Sequence, residues 1–266
     1  KLVPYTILGF KDSNGILTNR DSDYTQSHHY VVGLQHYFNP SASISLEAFY
    51  KQYNQYPVSV LDQVSLANKG ADFEVLGNED IETIGKGRSQ GLEFLYQQKL
   101  MQNFYSIFSY TYFFSEFTGF DTSVFIPSVW DSRHLISFVG GYKLKRNWEI
   151  SSRYRFAGKT PYVPTNVDAT LLAYPEIVPD YNRLGDEQLN TFSQLDIRVD
   201  KKWNFQRMSL NIFFEIQNML GQEIPRPPEY GLSRDIDGNL ISPLGLSVIT
   251  QDNSTIIPSI GIVVDF

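Results

Sequence analysis

Not one cysteine occurs in the 266 residues, which excludes disulfides, thiolate metal ligation and cysteine nucleophiles together, while remaining compatible with any compartment. Histidine is nearly as scarce: His28, His29, His36 and His134 are the four. The adjacent His28 and His29 would point to opposite faces of a strand and so cannot chelate together, and no metal is expected. No stretch approaches the roughly 18 apolar residues of a membrane helix. That leaves barrel strands open, because a strand crosses in about 9–11 residues of alternating polarity that hydropathy averages away. Excess positive charge is missing too. The 22 Lys and Arg face 29 Asp and Glu, for a formal net charge of −7, the reverse of a nucleic-acid binder's basic stripe. There is no signal segment, and the first residue is Lys1 rather than Met, which predicts a mature, trimmed or partial chain. Phosphate-cradling glycine loops, G-x-S-x-G and H-E-x-x-H are all absent, so no cofactor is expected.

What is present is aromatic: 17 Tyr, 19 Phe and 3 Trp make 15% of the chain. Period-two alternation recurs along it, and helical periodicity is nearly missing. Strands are expected near residues 27–38, 43–54, 86–99, 104–117, 133–144, 148–158, 191–202, 208–219 and 255–266, with 1–9 as a tenth. Most run about twice the usual 5–6 residues of a globular strand. In "WEISSRYRFAG" (148–158), Trp148, Ile150, Tyr154 and Phe156 oppose Glu149, Arg153 and Arg155. In "TFSQLDIRVDKK" (191–202), Leu195, Ile197 and Val199 oppose Asp196, Arg198, Asp200 and Lys202. The last strand has Ile260, Ile262, Val264 and Phe266 on one row. Alternation alone does not say whether such apolar rows meet a core or lipid.

The connections decide it. Short links at 39–42, 100–103, 145–147 and 203–207 alternate with long ones near 55–85, 118–132, 159–190 and 220–254, and ten of the thirteen prolines fall in the long ones. Short periplasmic turns and long extracellular loops are the asymmetry of outer-membrane barrels. Aromatics gather at both strand ends: Phe38, Phe104, Trp148, Trp203, Phe205 and Phe266 by the short turns, Tyr50, Phe114, Phe117 and Phe156 towards the long loops. Amphipathic rings take such places at two membrane interfaces. The expected fold is therefore all-β, an antiparallel transmembrane β-barrel whose apolar rows face lipid. Its charged rows, Glu47, Lys51, Glu93, Arg153, Arg155, Asp196, Arg198, Asp200 and Glu215, would line the lumen.

These segments resemble a known family. "SHHYVVGLQHYF" (27–38), "GKGRSQGLEFLYQQKL" (85–100), "FSYTYFFSEF" (108–117), "PSVWDSRHLISFVGGYKLKRNWEISSRYRFAGKTPYVP" (127–164), "QLDIRVDKKWNF" (194–205), "NIFFEIQNMLG" (211–221) and "IGIVVDF" look, in that order, like the C-terminal part of the TonB-dependent outer-membrane receptors, in the form common in Bacteroidetes. The resemblance covers essentially the whole chain. It implies energised uptake of a scarce nutrient, such as a siderophore or glycan, through a 22-strand barrel filled by an N-terminal plug. Residues 1–266 would be about the last ten strands, with plug and TonB box not in this chain. The implied partners are outer-membrane lipid, the protein's own plug and remaining strands, the TonB system through its N-terminal part, the barrel assembly machinery and a surface-exposed lipoprotein. Phe266 resembles the terminal aromatic of the assembly signal. The charged rows become plug-facing candidates.

Candidates for substrate contact are Trp130, Asp131 and Arg133, in "VWDSRH" at a strand mouth, and the loop residues Tyr162, Tyr174, Tyr181 and Tyr230. The acidic loop 159–190 lacks the spacing of a calcium loop. The rival readings are a self-closed passive pore of about ten strands, an outer-membrane barrel protease using Asp131 and His134, and a soluble β-sandwich. The protease lacks an opposing acid–histidine rim, and the sandwich requires polar residues where Ile212, Phe214, Ile260 and Ile262 stand. No enzymatic role is expected.

Overall fold

The computed structural model describes residues 5–69, 77–249 and 254–266. Its strands are β1 Gln26–Asn39, β2 Ala42–Ser59, β3 Ile81–Met101, β4 Phe104–Thr118, β5 Phe125–Pro127, β6 His134–Leu144, β7 Trp148–Ala157, β8 Pro161–Tyr162, β9 Glu187–Gln188, β10 Phe192–Asn204, β11 Ser209–Gln217, β12 Glu229–Leu232, β13 Leu246–Ile249 and β14 Ile257–Asp265. Nine of them form one meander, β1-β2-β3-β4-β6-β7-β10-β11-β14, with β5 appended to β4, and β8-β9 and β12-β13 are small separate sheets. Every pairing along the meander is antiparallel. An even number of reversals separates its ends, so β1 and β14 run in the same direction.

Turn chemistry explains the short connections. Met101 pairs with Phe104, and Gln102 and Asn103 between them have φ of 48° and 75°, the two left-handed residues of a type I′ hairpin turn. Arg146 and Asn147 take similar values, 59° and 56°, between β6 and β7. At the other end the ladders outrun the sequence expectation. β2 has 18 residues and β3 has 21, and their pairing continues past irregularities at Tyr53, Tyr56 and Val58. Bulges break the two-residue period there, so alternation hid the continuation.

The expected tenth strand is a difference. Residues 1–4 lie outside the described residues, and Tyr5–Leu8 form one helical turn, α1. The cause is Asn19, a fully buried side chain. Its Nδ2 donates to the carbonyls of Ile7 (3.0 Å) and Glu79 (2.7 Å), and its Oδ1 accepts from the Ile81 amide at 3.0 Å. Ile7 is thereby held against Leu66 and Ile81 in a small buried cluster, and the segment folds under the β2–β3 loop instead of extending the sheet.

Register sorts the sheet into two faces. On one, Tyr30, Val32 and Leu34 pair with Tyr50, Ala48 and Leu46, and Val199–Phe214 and Ile212–Ile262 continue the apolar rows on later strands. Among the described residues nothing covers these rows: Leu34 is 78% exposed, Ile260 76% and Ile262 66%. A sandwich would bury them. Arg88 and Lys201 are cations on that face: Arg88, towards the long-loop end, stands opposite Gln52 and pairs with Glu116 in register, and Lys201 lies opposite Trp148 and Ile212. It sits at the short-turn end, 5.4 Å over both the Trp148 and Trp203 rings, and donates to the Arg146 carbonyl, as a long cationic side chain does when its head seeks an interface. Phe117 departs from the expected aromatic band. Three residues beyond Phe114, it falls on the opposite face and is buried against Tyr53 and Tyr56.

Candidate functional site

The second face carries most of the charged residues, and on its β6–β14 half carboxylates neutralise Arg153 and Arg198. Arg153 and Asp196 are register partners. Arg153 Nη2 lies 2.6 Å from Asp196 Oδ2 and Nε donates to the same oxygen at 2.8 Å. Asp196 Oδ1 accepts from Gln194 Nε2 (2.8 Å) and the Asn218 amide (2.9 Å), so this one carboxylate ties β7 and β10 to the end of β11. Arg198 grips Asp200 through Nε and Nη2, both at 2.8 Å. It approaches Glu215 at 3.8 Å and lies 3.7 Å over the Phe213 ring. Asn211 also donates to Asp200, at 2.8 Å. Such two-point, charge-assisted pairs hold strand positions more firmly than single ones. Tyr105 donates to Glu149 at 2.6 Å and lies across Gly141, where a Cβ would come within 2.4 Å of its hydroxyl. Tyr105, Glu149, Arg198, Asp200 and Asn211 line a basin of about 280 Å³ near the short turns.

The β1–β4 half is different. Glu47 stands directly opposite Glu93, and among the described residues no base pairs with either. Like charges in direct register repel. Arg155, on β7, donates to the neutral Gln194 at 2.7 Å.

At the long-loop rim, "VWDSRH" forms a corner. The Asp131 side chain is wholly buried, so it is not placed to meet a ligand. Its Oδ2 accepts from the Ser115 amide at 3.3 Å, and Arg133 Nε lies 3.1 Å from Oδ1, within ion-pair reach although off the hydrogen-bond axis. Burial raises the Asp131 carboxyl above its ordinary value despite the Ser115 amide and Arg133. Arg133 takes a left-handed φ of 61° and stacks 4.0 Å over Phe114. Trp130 is exposed. His134 bonds Tyr110 Oη through Nδ1 at 2.9 Å, on the apolar face and not to Asp131, so the acid–histidine pair of a protease is not assembled.

The four loop tyrosines belong to different loop elements, although Tyr162 and Tyr230 are near enough to interact electrostatically. Tyr162 is buried and donates to Glu187. Burial and that bond push its hydroxyl up to about 12, and the same bond lowers the Glu187 carboxyl. Tyr174 caps α2, Val167–Ala173. Tyr181 lies beneath the Lys69 ammonium at 5.3 Å and lines a cleft of about 520 Å³ with Leu61, Asp62, Phe120 and Asp121. Tyr230 belongs to the separate β12–β13 pair.

Sequence reasoning missed Asn19, the Lys69 ion pairs with Asp62 and Glu79 and the Arg88–Glu116 pair at 2.7 Å. It also missed Tyr105, which register places beside Glu149 on the charged face. Phe266 is 99% exposed beyond the end of β14. Among the described residues no group of three or more His, Cys, Asp or Glu could hold a metal ion, and no helix is long and apolar enough to cross a membrane.

Residues 9–219 match the family profile described as TonB dependent receptor-like, beta-barrel. No curated protein sequence matches. Among solved structures, the chain is similar to the ferric yersiniabactin uptake receptor FyuA of Yersinia pestis, with 12% identity and TM-score 0.55 over 91% of this chain and 30% of that one. The ferripyoverdine receptor of the Pseudomonas aeruginosa outer membrane gives 14% and 0.54 over 80% and 25%. The Escherichia coli outer-membrane transporter YddB gives 10% and 0.53 over 88% and 33%. The chain thus spans a quarter to a third of each of these structures. Sheet, register and family profile agree: the chain belongs to the TonB-dependent receptors, as part of their outer-membrane β-barrel.

Proposed function

We propose that residues 1–266 form the C-terminal wall of a receptor that takes up a scarce nutrient in an energised way, with the apolar face on lipid and the charged face towards a plug. The observation that carries this is the two-faced register: uncovered Leu34, Ile260 and Ile262 on one side, arginine–carboxylate ladders on the other. In hydrocarbon an outward Arg153 or Arg198 would cost about 2–4 kcal/mol near mid-bilayer, which fixes the sides. The long loops then stand outside the cell and the short turns in the periplasm. Fold neighbours named for ferric siderophores support a ferric chelate as one cargo class, and a glycan is another. The remaining barrel strands, the plug and the TonB contact belong to the rest of the polypeptide. Phe266 is the assembly-signal residue, and the loops are the surface open to a lipoprotein.

The experiment is spin labelling at Ile212 and Ile262, which face each other across β11 and β14, and at Arg198 and Glu215. The first pair is expected to be relaxed by membrane-dissolved oxygen and the second by an aqueous nickel chelate. The reverse pattern sinks the proposal. A self-closed pore is disfavoured by the parallel directions of β1 and β14.

A further inference from the structure

Among the described residues, the charged face leaves one guanidinium without a countercharge. Arg153 has Asp196, and Arg198 has Asp200 and Glu215. Arg155 has the neutral Gln194. Its nearest carboxylate in the ladder is Asp196, one diagonal away, and that group already accepts from Arg153 Nε and Nη2, Gln194 and the Asn218 amide. A carboxylate has about four acceptor sites, so Asp196 is saturated. Glu93 is no substitute. It lies three strands away, about 14 Å at the usual strand spacing. The row through Arg155 reads Ser109, Ser137, Arg155, Gln194 across β4, β6, β7 and β10: every member can donate a hydrogen bond and none is anionic. Beside it opens a hollow of about 370 Å³, walled by Ser109, Ser137 and Arg155 and by the apolar Leu135 and Phe192.

We propose that this hollow is a carboxylate subsite, in which Arg155 takes a planar carboxylate and Leu135 and Phe192 hold the apolar body attached to it. Guanidinium geometry suits a carboxylate at two points, and a countercharge from off the sheet removes the cost of leaving a cation unpaired in an enclosed passage. The inference rests on the reading that this face is enclosed. The carboxylate has two sources: a cargo molecule, or an Asp or Glu side chain of the segment that fills the barrel.

The test uses the full-length receptor in detergent, with benzoate and its neutral isostere benzamide as calorimetric probes, and a second protein carrying photo-reactive benzoylphenylalanine in place of Phe192. If cargo supplies the carboxylate, benzoate binds, benzamide does not, Arg155→Gln weakens benzoate about tenfold or more, and Arg155→Lys recovers part of the loss. If the filling segment supplies it, benzoate is excluded and the cross-linked peptide contains an Asp or Glu. Equal behaviour of the two probes together with a captured peptide lacking acidic residues overturns the subsite alone. Cross-links to lipid alone overturn the assignment of faces, and the subsite with it.

Discussion

Asp131 shows what single residues do at the rim. Its position in "VWDSRH" suggested ligand contact, and the sequence showed an acid near a cation at a strand mouth. It could not show burial, which comes from Ser115 and Ser128 on either side of the corner: the Ser128 hydroxyl donates to Ser115 Oγ at 2.9 Å, and the Ser128 amide to the Ser115 carbonyl at 2.7 Å. The carboxyl is raised in the folded protein. A raised acid contributes most when protonated, and that contribution is lost as pH rises through the folded value. At neutral pH the buried charge is therefore a cost. Asp131→Asn keeps an acceptor for the Ser115 amide without the charge, so it is expected to match or exceed the parent in thermal stability at pH 7. That margin should shrink as pH falls towards the ordinary carboxylate value of 3.8. Asp131→Ala leaves the amide unsatisfied and should cost about 1–3 kcal/mol. Melting curves in detergent across this pH range check both, and an Asn variant as damaged as the Ala variant at pH 7 would refute the assignment.

At the scale of the element, period two was the most legible signal. It placed Arg153, Asp196, Arg198 and Glu215 on one face before any contact was known, because a strand has only two sides. What it lost were the places where the period breaks: the bulged upper ends of β2 and β3, and residues 5–8, whose apolar run reads as strand or as one helical turn equally well. Asn19 decided the latter, by tying Ile7 to Glu79 and Ile81, more than seventy residues further on, and alternation carries no trace of such a tie. The same two-sidedness yields a sharp contrast on β14. Ile260 lies opposite Phe214, and its neighbour Ser259 lies opposite Glu215. Ile260→Arg should destabilise the barrel by about 2–4 kcal/mol if it reaches the middle of the bilayer. Ser259→Arg should be near neutral, since it meets Glu215 on the charged side. Denaturant titration in lipid vesicles compares the two, and equal costs would contradict the assignment of faces.

For the whole molecule, strand parity has the largest consequence. Ten alternating strands could close on themselves with every neighbour antiparallel. The nine in the meander cannot, because β1 and β14 run the same way, and their direct pairing would be parallel, with a different hydrogen-bond pattern. Two copies joined head to tail meet the same obstacle at both seams. Only an odd number of intervening strands restores antiparallel neighbours throughout, and a total of 22 satisfies this. Leaving the edges open is no alternative in hydrocarbon, where each unpaired backbone group costs several kcal/mol. Residues 1–266 refolded alone into vesicles are therefore expected to give no discrete conductance and no heat-dependent shift in gel mobility, whereas the full-length receptor should show the shift. A stable, heat-modifiable band from the isolated segment would mean that its edges pair after all, and the passive pore would replace the receptor wall as the better account.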